Sequence, residues 1–541
     1  MAEPVIEVED FEDSNKPVKY GWRFWAVFPG LCIASLLSSL EVSALSTVMP
    51  TIANDLKSST DTVWAIDTYF VAQTAMQPLY GQMANIFGRR WLLIQAVALF
   101  ALGSGLCGGA DSIGMLIVGR TVQGIGGGGI NVLIEIIVGD LVPLRERPKF
   151  MGVVMGVFAL GNFIGPVIGG VIATRTTWRW VFWLNLPVAG AALVLLALFL
   201  QVKYDRSTSV WAKLKRVDFI GNTLLVGSII SILLPLTWAG TVRPWSSWRT
   251  IFPLILGFAG LIAFLFYENS GWVAEQTMPL RLFSNRTSAL AFIMTFFHGT
   301  VLFWVAYFMP LYFQAVLEHS PQHAGVDFLA SAIPLVPTGI ISGVLISILG
   351  KYRPSTIFGF VIMTLGTGLF IMLDDKSKTA VWVVFQIIFA AGSGFIITAL
   401  VPAVLSPLPE SDLATATATM GFIRGFGTMW GVAIPTAVFN TQFNHLLYQI
   451  TDESVRALLA NGGAYQRATK AFLESLNSIP LVKAEVIGVY VASLQRVWTV
   501  GVVFSAIGIP LSFFIKEIQM RTEKENEYGL TDEKENEKEA K

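Results

Sequence analysis

The sequence predicts an all-helical membrane protein in which two blocks of six transmembrane helices flank an inserted pair. The first observation is composition: 54% of the 541 residues are hydrophobic and 14% are charged, whereas a soluble domain carries about 25% charged residues. The second is a series of apolar stretches of about 20 residues, the length that crosses a bilayer. The third is the grouping of these stretches into six, two and six along the chain.

The predicted spans follow each other in three groups. The first block covers residues 24–50, 63–86, 91–109, 114–139, 150–173 and 180–201. The inserted pair covers residues 218–239 and 250–267. The second block covers residues 288–314, 324–349, 355–373, 380–403, 412–440 and 486–515. The chain therefore divides into an N-terminal bundle, an inserted segment and a C-terminal bundle, at residues 23–201, 202–286 and 287–515.

Loop charge predicts the orientation. Basic residues concentrate in the connections after even-numbered spans, as at Arg89 and Arg90 and from Lys203 to Arg216. The positive-inside rule places these loops in the cytoplasm, together with the polar tails, residues 1–22 and 516–541. The long segment 441–485 then lies on the outer side, where we expect a partly helical cap.

Charge and motif content argue against several function classes. Lys plus Arg equals Asp plus Glu at 37 each, so no net charge favours binding to nucleic acid. The chain has no GxxxxGK[ST] loop, so energy from ATP is not expected. Cys32 and Cys107 both lie in apolar segments and indicate neither a disulfide framework nor a thiolate metal site. No cofactor or metal is expected.

The fifth span carries the most specific pattern, GxxxGPxxGG, with fixed positions at Gly161, Gly165, Pro166, Gly169 and Gly170. In lipid, glycines let neighbouring backbones approach closely, and a proline kink is tolerated where adjoining helices satisfy the freed carbonyl. The pattern predicts a bent, closely packed helix. At every fixed position it resembles the antiporter motif of the drug:proton antiporters of the major facilitator superfamily, which implies the major facilitator fold.

The connection between spans two and three also resembles a motif of that superfamily, GxLaDrxGRR. Its positions here are Gly81, Asn85, Gly88, Arg89 and Arg90. The resemblance implies a gating loop whose arginines pair with acids or helix C-termini in one conformation and release them in another. Asparagine replaces the usual aspartate at Asn85, which puts a charge-linked gate through that position in doubt.

A buried charge network is expected in the first block. Arg120 lies within the fourth span, in a segment that resembles the motif LxxxRxxQGxGAA, and an arginine at that depth needs a carboxylate partner. Glu41 stands where the fourteen-helix family has an aspartate in its motif LDxTIVxxALP, and Asp67 lies in the second span. With a helical rise of about 1.5 Å per residue, Glu41 is expected roughly 6 Å from the bilayer midplane, toward its outer side. Asp67 and Arg120 are each expected roughly 10 Å from the midplane on that same side. The three can share one layer.

Such a layer suggests proton coupling, because an acid whose solvation and arginine contact change between conformations can bind a proton on one side and release it on the other. A static ion pair is the alternative, and it is stronger for Asp67 than for Glu41. Nearer the cytoplasm, Glu135 is a candidate for either a gate contact or a structural role. Arg424, within Gly421–Gly427, resembles an arginine-glycine pattern of fungal fourteen-helix transporters.

Candidates for a substrate cavity are Gln123, Phe297, His298 and Trp304. A lone histidine on an apolar helix is also consistent with hydrogen-bonded packing. The other histidines, His319, His323 and His445, are scattered, and Pro321 is expected to break the helical spacing of the first two. The segment from Trp178 to Pro187 resembles the WRWxFxxNxP run of the fourteen-helix subfamily.

These resemblances identify a fungal-like member of the fourteen-helix drug:proton antiporters, the DHA2 type. They imply a proton-coupled exporter of small organic compounds, such as drugs, toxins or secondary metabolites, which works by alternating access. A carrier for basic amino acids or siderophores on the same fold and a polytopic membrane enzyme are the alternatives. The expected partners are a small-molecule substrate, protons and the lipid bilayer. We expect a monomer in the plasma membrane, with the vacuolar membrane as the alternative.

Overall fold

The structure, a computed structural model, describes residues 21–56, 62–201, 209–239, 243–270, 273 and 275–520. Within these residues, regular structure is helical apart from one isolated bridge between Ala239 and Arg243. Four short 3-10 helices cover Leu280–Phe283, Phe370–Met372, Glu410–Asp412 and Leu447–Gln449. The predicted all-helical class is confirmed.

The N-terminal half contains seven helices. They are α1 (Trp22–Asp55), α2 (Thr62–Phe87), α3 (Arg89–Gly108), α4 (Ile113–Leu141), α5 (Arg147–Arg175), α6 (Arg179–Trp183) and α7 (Asn185–Phe199). Local sequence sets several of these ends. The Ser112 side chain accepts a hydrogen bond from the Met115 amide and caps α4. The short helices α6 and α7 together occupy the sixth predicted span, with a break at Leu184.

The inserted segment and the C-terminal half contain the remaining helices. The inserted segment holds α8 (Val210–Leu214), α9 (Phe219–Trp238) and α10 (Trp248–Glu268). The C-terminal half holds α11 (Arg286–Ala315), α12 (Pro321–Leu349), α13 (Arg353–Leu369), α14 (Thr379–Leu405), α15 (Leu413–Leu446), α16 (Glu453–Leu459), α17 (Gly463–Gln466), α18 (Lys470–Ser475) and α19 (Pro480–Phe514).

Twelve candidate spans in the described part of the chain are long and apolar enough to cross a membrane. Helices α2 and α5 are not among them, although they contain 26 and 29 residues and pack within the bundle. Polar side chains such as Gln73, Gln77 and Gln82 reduce the apolar content of α2. The predicted count of fourteen spans is therefore not confirmed.

The two halves repeat one packing pattern. In the N-terminal half, α1 packs on α5 and α7, α3 packs on α4 and α7, and α2 packs on α4. In the C-terminal half, α11 packs on α15 and α19, α13 packs on α14 and α19, and α12 packs on α14. Counted along each half, these are the same five pairings, as expected for internal repeats.

The seam between the halves consists mainly of α2 against α15 and α5 against α12. The inserted helices α9 and α10 pack on each other, and α9 also contacts both α2 and α15. We call the end of the bundle with the α2–α3 and α4–α5 connections the inner side, which loop charge predicts to be cytoplasmic. The opposite end is the outer side.

On the outer side, the segment predicted at residues 441–485 is shorter than expected. Helix α15 continues to Leu446 and α19 begins at Pro480, which shortens the outer segment at both ends. The three short α-helices α16, α17 and α18 lie between them. Proline is favoured in the first helical turn because its missing N–H would have no partner there. The hydroxyl of Tyr490 on α19 donates to the carbonyl of Ala464 at 2.7 Å, which ties this segment to the C-terminal half.

Candidate functional site

A buried ion pair occupies the interior of the N-terminal half. Arg120 Nη1 on α4 donates to Glu41 Oε1 on α1 at 2.6 Å, and their side chains are 1% and 0% exposed. The same nitrogen also donates to Gln123 Oε1 at 2.6 Å. Burying either charge alone would be strongly unfavourable, so each side chain supplies the partner that the other requires.

Polar groups from two further helices complete the coordination of Glu41. Asn185, the first residue of α7, donates from its amide to Glu41 Oε2. Gln123 Nε2 donates to Ser104 Oγ on α3 at 2.7 Å, and Asn185 lies 3.4 Å from the same hydroxyl. All these side chains are buried, so both carboxylate oxygens of Glu41 are hydrogen-bonded away from the surface.

An aromatic ring from α2 covers the arginine. The guanidinium carbon of Arg120 lies 4.4 Å from the ring centroid of Tyr69, a cation–π contact. The Tyr69 hydroxyl in turn lies 3.3 Å from Ser38 Oγ on α1. Helices α1, α2, α3, α4 and α7 therefore meet around one carboxylate, which we call the Glu41 site.

Glu41 and Arg120 are predictable from the sequence, whereas their neighbours Asn185, Ser104 and Tyr69 were not predicted. Asn185 carried a usable signal, since it is a polar residue within an apolar span. Ser104 and Tyr69 carried none, because serines and tyrosines recur in several spans.

Asp67, the other acid expected near Arg120, lies two residues before Tyr69 on α2 and is partly exposed. Tyr307 on α11 and Tyr465 on α17 lie within electrostatic range of Asp67. Asp67 therefore faces the C-terminal half as well, whereas Glu41 is the acid in the described ion pair of Arg120.

Three of the four predicted cavity residues are inaccessible in this conformation. Gln123 is 0% exposed within the Glu41 site, and Trp304 is 0% exposed in the core of the C-terminal half. His298 is buried, and its Nε2 lies 2.8 Å from Ser393 Oγ. This contact agrees with the alternative interpretation of His298 as a hydrogen-bonded packing residue. Phe297 is half-buried, so its place beside a substrate stays a prediction.

Glu135 and Arg424 form a second ion pair at another depth. Arg424 Nη2 on α15 donates to Glu135 Oε1 on α4 at 2.5 Å, with side chains 22% and 8% exposed. Glu135 follows Arg120 by fifteen positions, or roughly 22 Å along α4. Unlike the Glu41 pair, this pair joins the N-terminal half to the C-terminal half.

The α2–α3 loop forms contacts nearer the inner side. Gly88 has φ 82° and ψ 161°, a conformation essentially restricted to glycine, and it allows α3 to begin at Arg89. Arg89 Nε donates to Asp140 Oδ2 at the end of α4 at 2.8 Å. Asn85 accepts from Arg89 at 3.3 Å and donates to Thr415 Oγ1 on α15 at 3.0 Å. The asparagine that replaces the usual aspartate thus makes a contact between the halves. Asp140 was not predicted, although an acid at the next-to-last position of α4, opposite a basic loop, was a usable signal.

Further contacts join the halves on the inner side. Gly81 of α2 packs so closely on Ala418 of α15 that an added Cβ would overlap it. Arg145 donates to the carbonyls of Ser347 at 2.7 Å and Ile348 at 3.1 Å, at the C-terminal end of α12. A cation is favourable there, since the last carbonyls of a helix lack intrahelical partners. Arg90 instead stays within its own half and donates to the Ala197 carbonyl.

The glycines of the fifth helix pack directly on α1. A Cβ built on Gly165 would lie 2.7 Å from Ser43 Cβ and 2.9 Å from the Leu40 carbonyl oxygen, and one on Gly161 would overlap Ser39. Ser43 Oγ also donates to the Asn162 carbonyl at 2.6 Å. The contact between α5 and α1 therefore lies next to Glu41, which is also on α1. Gly169 is buried. The side chain of Pro166 and the burial of Gly170 lie outside the described residues, so the bend stays a prediction.

The histidines at the outer end of α12 require a correction. Pro321 was expected to break their spacing, but it is the first residue of α12, where proline is tolerated. His323 therefore lies in the first helical turn, and its ring centroid is 4.5 Å from that of His319.

Known proteins resemble the chain over nearly its whole length. A family model described as Major Facilitator Superfamily matches residues 31–432. The MFS-type efflux pump LUC4 of a Fusarium species is 46% identical over 532 residues, which cover 98% of this chain and 94% of that protein. The Acurin A biosynthesis cluster MFS-type transporter of Aspergillus aculeatus is 46% identical over 521 residues, covering 96% and 94%. The crystal structure of the human organic anion transporter MFSD10 (TETRAN) matches with a TM-score of 0.59 at 13% identity, covering 90% of this chain and 99% of that chain. At that identity, the structural likeness shows the fold alone.

Proposed function

The chain belongs to the Major Facilitator Superfamily, and from that premise we propose that it is a proton-coupled exporter of small organic secondary metabolites. The relatives named as an efflux pump and as a biosynthesis-cluster transporter support export of such compounds. The glycine pattern of the fifth helix supports membership of the fourteen-helix drug:proton antiporters. In that assignment α2 and α5 also cross the membrane.

The observation that carries proton coupling is the Glu41 site. A carboxylate with no exposed surface, one ion pair and one amide donor is sensitive to any change in its surroundings. If α1 moves relative to α4, the acid loses its arginine or gains access to water, and its affinity for a proton changes. Glu41 then binds a proton when the outer side opens and releases it when the inner side opens.

Alternating access requires contacts that break on one side while others form. We assign that role on the inner side to the Glu135–Arg424 ion pair, to the Asn85–Thr415 hydrogen bond and to Arg145 at the end of α12. Because Arg120 and Glu135 share α4, a shift of this helix links the proton site to the inner contacts. The substrate occupies the space between the halves near Phe297, and the protein acts as a monomer in the plasma membrane.

The test replaces the acid with its neutral isostere, Glu41→Gln. Purified protein in proteoliposomes is screened with ethidium and a panel of amphipathic fungal metabolites, to find a compound that the wild type moves. With that compound, we expect Glu41→Gln to lose uptake driven by a pH gradient while it retains exchange of labelled for unlabelled compound. Exchange needs the conformational cycle but no net proton movement, so it separates lost coupling from misfolding.

The matched control is Glu268→Gln. Glu268 is also 0% exposed, but it lies at the end of inserted helix α10, where it accepts hydrogen bonds from the Thr277 and Met278 amides. This variant is expected to keep gradient-driven uptake. If Glu41→Gln concentrates the compound on a pH gradient as well as the wild type does, Glu41 is not the coupling acid. If the wild type concentrates its compound without any ion gradient, the proposed function is wrong.

A further inference from the structure

We propose that His319, His323 and Asp327 form a binding site for a zinc-class divalent metal at the outer end of the C-terminal half. One possible ligand atom from each of these residues lies within 4.8 Å of the other two. Two imidazoles and a carboxylate are ligands that Zn²⁺ favours. Bonds of about 2.0–2.1 Å in a tetrahedral site separate the ligand atoms by about 3.3 Å, so closure needs side-chain shifts of about 1–1.5 Å.

The ligands come from two backbone segments that converge. His323 and Asp327 are four positions apart in α12 and therefore lie on one face of the helix. His319 precedes the helix, and its amide donates to the Phe313 carbonyl at 2.9 Å. Its neighbour Glu318 adopts φ 55°, which turns the chain sharply between α11 and α12. The turn brings His319 Nδ1 to 2.6 Å from Asp327 Oδ2.

The backbone of Asp327, the residue at the centre of the cluster, is held by a neighbouring helix. Asp327 is 8% exposed, and its backbone carbonyl accepts a hydrogen bond from Gln386 Nε2 on α14 at 3.2 Å. Ser331 Oγ donates to Gln386 Oε1 at 2.8 Å, and this hydrogen bond orients the Gln386 side-chain amide. These contacts fix the backbone from which the Asp327 carboxylate projects. His323 Nε2 lies 3.6 Å from Asp327 Oδ1.

Access and charge are also compatible with a metal from the outer solution. The side chains of His323 and His319 are 60% and 29% exposed, so the open side of the cluster faces solvent. The N-terminus of α12 disfavours a cation, but the Asp327 carboxylate opposes that effect. Lys483, the nearby cation, is paired with Glu318 at 2.7 Å and with Asn477. A water molecule is expected to supply the fourth ligand, as in other three-ligand zinc sites.

The test measures Zn²⁺ binding to full-length protein, with no polyhistidine tag, after EDTA treatment and exchange into metal-free detergent buffer. Competition with a fluorescent zinc chelator is expected to give one equivalent of zinc per wild-type chain. His323→Ala and Asp327→Asn should each weaken that affinity at least tenfold. His445→Ala is the matched control, because His445 is an exposed histidine in the last turn of α15, at the same end of the molecule. It should bind as the wild type does.

Two further readouts separate a defined site from nonspecific binding. Zn²⁺ should raise the melting temperature of the wild type and of His445→Ala, but not that of Asp327→Asn, because only a bound ligand stabilises the folded state. Co²⁺ should give the visible absorption spectrum of a tetrahedral complex in the wild type and lose it in Asp327→Asn. The proposal is overturned if the wild type binds less than one equivalent, or if Asp327→Asn and the wild type bind zinc equally. A loss in His445→Ala as large as that in His323→Ala would overturn it too.

Discussion

The contact between α1 and α5 leads to the most direct structural prediction, the effect of Gly165→Ala. A Cβ at this position would lie 2.7 Å from Ser43 Cβ, and 2.9 Å from both the Ala44 amide nitrogen and the Leu40 carbonyl oxygen. Favourable contact between nonbonded atoms occurs at about 3.5–4.0 Å. Two of the three obstacles are backbone atoms that cannot rotate away, so the helices must separate by about 0.5–1 Å. Overpacking of this kind typically destabilises by about 1–3 kcal/mol.

The displacement should also reach the Glu41 site. Glu41 directly follows Leu40 on α1, and its contact with Arg120 is 2.6 Å. An added separation approaching 1 Å takes that pair beyond the usual hydrogen-bond range of about 2.7–3.2 Å. We therefore expect Gly165→Ala to lower the melting temperature in detergent and to slow transport driven by a pH gradient in proteoliposomes.

Gly190→Ala is the control, because it makes the same chemical change in α7, where an added Cβ meets nothing within 4 Å. Alanine is favoured over glycine within a helix by up to about 1 kcal/mol. This variant should therefore be as stable as the wild type or slightly more so, with unchanged transport. Equal melting temperatures and equal rates for the two variants would refute the close-packing argument.

Two further predictions concern the inner side. Gly88→Ala should destabilise by about 1–3 kcal/mol, because φ 82° and ψ 161° are available essentially only to glycine. Gly350→Asn should lower the melting temperature less than Gly88→Ala does, since Gly350 is in the left-handed helical region that asparagine tolerates. A lower melting temperature for Gly350→Asn than for Gly88→Ala would contradict this prediction. Glu135→Gln and Arg424→Gln should each slow transport, and the double variant should be little slower than the worse single variant, because all three lose the same ion pair. Additive losses in proteoliposome transport would show that the two residues act independently.

Much of the fold follows from the sequence because membrane insertion imposes simple rules. Spans must be apolar over about 20 residues, so most helices lie within a few residues of their predicted positions; for α2, residues 63–86 were predicted and Thr62–Phe87 is observed. The exceptions are the ends that leave the bundle, such as those of α15 and α19. There the apolar rule no longer applies, and packing of the outer segment decides where the helix stops.

The Glu41–Arg120 pair was also predictable, for a related reason. An arginine in hydrocarbon needs an acid, and the constant rise of a helix places residues at calculable depths. Depth alone allowed both Glu41 and Asp67 as partners of Arg120. The described ion pair with Glu41 also depends on how each helix is rotated about its axis, which packing against its neighbours determines.

The same limit applies to the predicted cavity residues. The sequence shows aromatic and polar side chains on α11 without showing which of them face a neighbouring helix. Trp304 is fully buried in the core, His298 is hydrogen-bonded to Ser393 on α14, and Phe297 is partly exposed. About two helical turns, from Phe297 to Trp304, therefore include very different surroundings.

By itself, the sequence determined the helical class, the position of each charged residue along its helix and the glycine positions where helices can approach closely. Tertiary structure decided which side chains form hydrogen bonds with each other. Asn185 bonds to Glu41, Arg424 bonds to Glu135 although 289 positions separate them in the sequence, and His319 bonds to Asp327 near the start of α12. The physical reason is that hydrophobic length and helical rise are local properties of the chain. The contact between two side chains depends instead on the rotation and docking of whole helices, which the complete packed bundle sets.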